Sequence, residues 1–66
     1  MKPFWIKERI NPQLGTYYVA CGKLSRKAAK QHEDALYGDN IMHEYPDEQS
    51  YQAKINELRS KGISVQ

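Results

Sequence analysis

Cys21, His32 and His43 carry the most reactive side chains in this 66-residue chain. Together they have the residue types of a thiol nucleophile with its base, or of three zinc ligands. Ten residues separate each of them from the next, a spacing that matches no zinc signature, and a fourth ligand would have to be a carboxylate such as Asp39 or Glu44. The plainer reading makes Cys21 a small buried residue and His32 a member of a helix stripe. Glu33 and Asp34 are neighbours in sequence and diverge on a helix, so they do not form a catalytic carboxylate pair. Asp47 and Glu48 sit at a helix start, where capping and the helix dipole account for them. The expectation is a protein that is not an enzyme, with no catalytic residues, no metal and no cofactor.

A second group has chemistry of another kind. Residues 1–30 hold seven Lys and Arg (Lys2, Lys7, Arg9, Lys23, Arg26, Lys27, Lys30) against one acid, Glu8, a net +6. Residues 31–66 hold three (Lys54, Arg59, Lys61) against seven acids, a net −4, so the overall charge of +2 hides a polar split. One surface of such a molecule attracts polyanions if the split survives folding, and the two halves neutralise each other if it does not. Four of the seven aromatic residues, Phe4, Trp5, Tyr17 and Tyr18, lie within the basic part.

The elements that position these residues follow from turn signals and apolar spacing. Turns are marked by "NPQLG" at 11–15, Gly22, "YGDN" at 37–40, "YPD" at 45–47 and Gly62. Between them the pattern predicts strands over 3–10 and 16–21 joined as a hairpin, and a helix over 26–37 with Ser25 as N-cap and Gly38 at its end. A strand over 40–45 follows, then a helix over 48–61 behind an Asp47 N-cap with Gly62 at C′, and a last strand over 63–66. The expected fold is therefore one α+β domain over residues 1–66: a two-layer sandwich in the order ββαβαβ, with about four strands and both helices on one face of the sheet. Tyr51, Ile55 and Leu58 fall at i, i+4 and i+7 in the second helix, so that helix has one inward face. The predicted core is Phe4, Ile6, Tyr17, Val19, Leu36, Ile41, Tyr51, Ile55, Leu58, Ile63 and Val65.

Alternation in the hairpin then assigns the faces. Phe4, Ile6 and Ile10 with Tyr17, Val19 and Cys21 form the predicted core side, which leaves Trp5, Lys7, Arg9, Thr16 and Tyr18 on an open side. Rings stack on bases and cations neutralise phosphate, so this arrangement suits nucleic acid. The predicted binding residues are Trp5, Lys7, Arg9, Tyr18, Lys23, Arg26, Lys27 and Lys30, the last four widening the positive area past the hairpin. Trp, Tyr and Arg also dominate protein contacts, so the alternative is a protein-interaction or homodimerisation module using the same face. DNA or RNA is the first expected partner and a protein or second copy the alternative. No membrane and no small-molecule substrate are inferred.

Size and composition bound these readings. A chain this short buries only about 60% of its unfolded surface, which leaves a small core. With one cysteine no intramolecular disulfide can form, and the longest apolar run, "YYVAC", is far too short to span a membrane. A cytoplasmic protein is expected, of the size common among phage and mobile-element accessory proteins. Residues 4–37, with a Trp-bearing strand, the "NPQLGTYYV" turn and "GKLSRKAAK" leading into a helix, resemble the arm-type DNA-binding domain of phage integrases. "YYVACGKLSRKAAKQHEDALYG" is similar to the first strand and helix of the peptidoglycan-binding SPOR repeat. Neither family accounts for the acidic second half, and no site residue is carried over from either.

Overall fold

The computed structural model of the chain describes residues 2–13, 15–34 and 39–66. The elements are β1 (Phe4–Asn11), β2 (Gly15–Lys23), α1 (Arg26–Asp34), β3 (Asp39–Tyr45) and α2 (Glu48–Ser60). The sheet has three strands in the order β2-β1-β3, with both pairings antiparallel. This is the expected α+β class, but not the expected four strands or ββαβαβ order. Residues 63–66 form only an isolated parallel bridge, Tyr18 to Val65. Three backbone bonds hold it: Tyr18 N–H to Ser64 O at 3.0 Å, Gln66 N–H to Tyr18 O at 2.9 Å and Ala20 N–H to Gln66 O at 2.8 Å. The predicted helix end at Gly38 and the core position Leu36 lie outside the described residues.

Loop length decides which side chains share a face. Asn11 pairs with Gly15, and the ladder continues as Ile10–Thr16, Arg9–Tyr17, Glu8–Tyr18, Lys7–Val19 and Ile6–Ala20. Paired residues project to the same side, so Phe4, Ile6 and Glu8 share a face with Tyr18 and Ala20, whereas Trp5, Lys7 and Arg9 share one with Tyr17 and Val19. The predicted grouping, with Tyr18 beside Trp5, needs a register one residue away, and a one-residue slip moves every side chain to the other face. A three-residue loop, supported by Gln13 N–H donating to Asn11 Oδ1 at 2.8 Å, sets the observed parity. Near its end β2 carries a bulge at Cys21, since Ile6 faces Ala20 while Trp5 faces Gly22. Gly22 adopts φ +73°, and its N–H donates to the Tyr51 hydroxyl at 3.1 Å.

The two helices lie on opposite sides of the sheet, not on one. β2 and β3 run parallel with β1 between them, so β2–α1–β3 is a crossover towards the β3 edge. The chain then returns through α2 to the tail beside β2, a crossover in the reverse direction. Right-handed crossovers that step in opposite directions place their helices on opposite faces. The contacts agree: Trp5 Nε1 donates to Leu24 O at 2.8 Å and Arg26 pairs with Glu44 on one side, while Tyr51 and Ile55 cluster with Ile6 on the other.

The core sits under α2. Ile6, Tyr51 and Ile55 are 1%, 6% and 4% exposed, with Phe4, Tyr18, Ala20, Tyr45 and Val65 against them. The Phe4 and Tyr51 rings meet at 5.1 Å. Burial of each such side chain contributes about 1.5–3 kcal/mol. Trp5 and Leu58 are also buried, while Ile41 stays exposed at the far corner of the α2 face. Trp5 belongs to the interior and Ile41 does not, the reverse of the sequence expectation. α2 is well terminated: Asp47 Oδ1 accepts from Ser50 N–H at 2.8 Å. At its other end Gly62 N–H donates to Arg59 O and Ile63 N–H to Leu58 O, a Schellman closure around Gly62 at φ +78°.

Candidate functional site

The predicted binding face does not exist as drawn. Trp5 is 7% exposed and its indole N–H is held by Leu24 O, so no base can stack on it. Tyr18 lies on the opposite side of the sheet, half-buried against the core under α2. Lys7 is 9% exposed, and its backbone N–H and ammonium lie near the Cys21 thiol. Arg9 is half-buried. Burial pushes the Cys21 thiol up from its ordinary value, and Lys7 only partly offsets this, so Cys21 is not an activated nucleophile.

The remaining predicted residues stay in solvent. Lys23, Arg26, Lys27 and Lys30 are exposed, as is Lys2. Lys23 closes β2, with its Nζ 5.5 Å from the centre of the Phe4 ring. Arg26, Lys27 and Lys30 come from α1, whose N-cap is Ser25, its Oγ accepting from Ala28 N–H at 3.1 Å. Ala29, 2% exposed, anchors the inner side of this helix, so its outer side carries the cations. The first turn of α1 holds no acid and two bases, Arg26 and Lys27. Cations at the positive end of a helix dipole are unfavourable. In α2 the arrangement is the favourable one, with Glu48 in the first turn and Arg59 in the last.

Some of this charge is neutralised. Arg26 makes a two-pronged pair with Glu44, Nε to Oε1 at 3.1 Å and Nη2 to Oε2 at 3.0 Å, which holds the Glu44 carboxyl below its usual range. Two open clefts flank the start of β1. One, of about 410 Å³, is lined by Lys2, Pro3, Ser25, Arg26, Glu44 and Pro46. The other, of about 490 Å³, is lined by Lys2, Phe4, Lys23, Pro46, Asp47 and Glu48. Each cleft contains acid beside base, and Lys27 and Lys30 on the outer side of α1 line neither of them.

Sequence reasoning missed a polar cluster on the α2 side. His43 Nε2 and Glu8 Oε1 are 2.9 Å apart, and Tyr18, Tyr45 and Lys54 gather around the same cavity. A signal was present: Glu8 interrupts the apolar stripe of Phe4, Ile6 and Ile10, and a carboxylate there needs a partner. Cys21 and His43 are on different elements and His43 is engaged by Glu8. Among the described residues no three His, Cys, Asp or Glu side chains gather as a metal site, and no helix is long and apolar enough to cross a membrane.

With this geometry in hand, the chain matches no protein-family model, no curated protein and no solved structure. What the protein does must be argued from its own surface.

Proposed function

We propose that the protein is a non-enzymatic nucleic-acid-binding module that holds the phosphate backbone through Lys23, Arg26, Lys27 and Lys30, with Lys2 beside them. The observation that carries this reading is the exposure of Lys23, Lys27 and Lys30 beside an α1 first turn without acid, where Arg26 is already held by Glu44. The free N–H groups at that helix end attract a phosphate, and a row of phosphates there also relieves the unfavourable placement of Lys27. Because Trp5 and Tyr18 face inward, the reading is electrostatic and not one of base stacking. It favours no particular base sequence.

Fluorescence anisotropy with labelled single- and double-stranded DNA and RNA tests it. Three to four phosphates neutralised give a logarithmic salt slope of about −3, so affinity falls about 50–150-fold between 50 and 200 mM salt. Lys23→Glu with Lys27→Glu abolishes binding, whereas reversal of Lys54 and Lys61, both already paired with Glu57, has little effect. No binding below about 100 µM at 50 mM salt refutes the reading, since nonspecific binders reach that range. A salt-insensitive dimer in light scattering would support the alternative of a protein-interaction module.

A further inference from the structure

Arg26 holds the Glu44 carboxylate through both prongs of its guanidinium, Nε to Oε1 at 3.1 Å and Nη2 to Oε2 at 3.0 Å. This is the geometry in which arginine holds a phosphate, with two parallel N–H donors on two oxygens of one anion. The two side chains are 78% and 38% exposed, so a ligand reaches the pair without opening the fold. Both partners are set in place from below. Glu44 stands opposite Trp5 in the β1–β3 ladder, and the buried Trp5 indole donates to Leu24 O, just ahead of Ser25 and Arg26. Lys2 and Ser25 line the same open cleft as the pair, and Lys23 and Lys27, close by in the chain, are exposed. A carboxylate therefore occupies the guanidinium among the very cations assigned to phosphate.

We propose that Glu44 is an internal competitor for Arg26, one that a run of phosphates displaces and an isolated phosphate does not; this rests on the nucleic-acid reading. An exposed ion pair is a weak lock, because water solvates each partner well once they part. Glu44 is nevertheless tethered beside Arg26, and a tethered group acts at an effective concentration of about millimolar, which a single free anion must exceed. A polyanion already held by Lys23 and Lys27 brings its next phosphate to Arg26 tethered in the same way, and so competes on equal terms. Once displaced, Glu44 takes up a cation from the salt, which offsets the counterion that Arg26 releases from the phosphate. Arg26 thus adds a contact to the wild-type complex and little to its salt dependence.

The test is fluorescence anisotropy of the wild type and Glu44→Gln on one labelled DNA duplex, over about 50–200 mM salt. Ala29 and the Trp5–Leu24 bond still anchor α1 in this variant, so its fold is kept. Glu44→Gln is expected to bind about threefold to fivefold more tightly, the worth of one exposed ion pair, with a logarithmic salt slope steeper by about 0.9. Glu33→Gln makes the same change of charge without touching Arg26, keeps an acceptor for Met42 N–H, and leaves the slope as it was. Adding Arg26→Gln to Glu44→Gln removes the extra slope. In a second arm, inorganic phosphate at about 1 mM and constant ionic strength leaves the wild-type Arg26 Nε–Hε NMR signal in place, whereas the duplex moves it. Equal slopes for the wild type and Glu44→Gln, a steeper slope that survives Arg26→Gln, or an Arg26 signal moved by phosphate as by the duplex would each overturn the proposal alone. Absence of binding by both proteins overturns the nucleic-acid reading, and this proposal with it.

Discussion

Replacing Trp5 by Phe separates a structural ring from a stacking one. The substitution removes the indole N–H that donates to Leu24 O at 2.8 Å and leaves that carbonyl without its partner, a loss of about 1–3 kcal/mol. The smaller ring also gives up packing at a position only 7% exposed, which adds about 1 kcal/mol for lost transfer and residual cavity. The sum, about 2–4 kcal/mol, is a large share of the roughly 3–10 kcal/mol expected for a 66-residue domain. For so small a domain each kcal/mol moves the melting midpoint by about 4–8 °C, so the shift is at least about 8 °C. Circular dichroism during thermal unfolding measures it. Anisotropy at a temperature where the variant is still folded then measures nucleic-acid affinity, which is expected to be unchanged. An unchanged midpoint with lost binding refutes the reasoning, because it would make Trp5 a contact residue and not a strut between β1 and the start of α1.

Ile55→Ala is expected to cost about 2–5 kcal/mol and Ile41→Ala, at an exposed corner, less than about 0.5 kcal/mol, in urea denaturation followed by fluorescence. Gly22→Ala meets no atom within 4 Å of the new Cβ but must hold φ +73°, so it costs about 1–2 kcal/mol through the backbone alone; a neutral result would show that the bulge relaxes. The Asp47 carboxyl is held below the usual carboxylate range by the hydrogen bonds it accepts from the Ser50 backbone and side chain. Its stabilisation is therefore full above the unfolded value and disappears as pH falls through the lower folded one. Asp47→Asn keeps the cap and removes the titration, so stability curves from pH 7 to pH 2 are expected to show a shallower acid limb in the variant; identical limbs would dismiss this carboxylate as a source of acid sensitivity.

Local chemistry was legible in the chain. Ser25 and Asp47 cap the helices that follow them because their side-chain oxygens reach the free N–H groups of the next turn, and Gly62 ends α2 because it alone tolerates φ +78° there. The inward stripe of Tyr51, Ile55 and Leu58 was equally readable, since helical spacing of apolar residues has one solution. The uneven charge was legible too, but half of the predicted binding residues are not where alternation put them. Lys23, Arg26, Lys27 and Lys30 are exposed, whereas Trp5 and Lys7 are buried, Arg9 is half-buried and Tyr18 is on the other face.

That division has a physical cause. Capping, turn conformation and helical spacing act over a few residues, so residue types in order determine them: the ββαβα succession, the ends of α2 and the uneven charge follow from the chain itself. Period-two alternation says that Trp5 and Ile6 point oppositely but not which of them meets Tyr18, because that depends on the parity of a loop and on a bulge at Cys21. Here both faces of the sheet are covered by a helix, so neither set of side chains is marked by polarity as the outer one. Only the folded chain, with crossovers running in opposite directions and α1 and α2 on opposite sides, decided that Trp5 is buried. The same packing brought Glu8 to His43 from positions 35 residues apart, a pairing that no local pattern encodes.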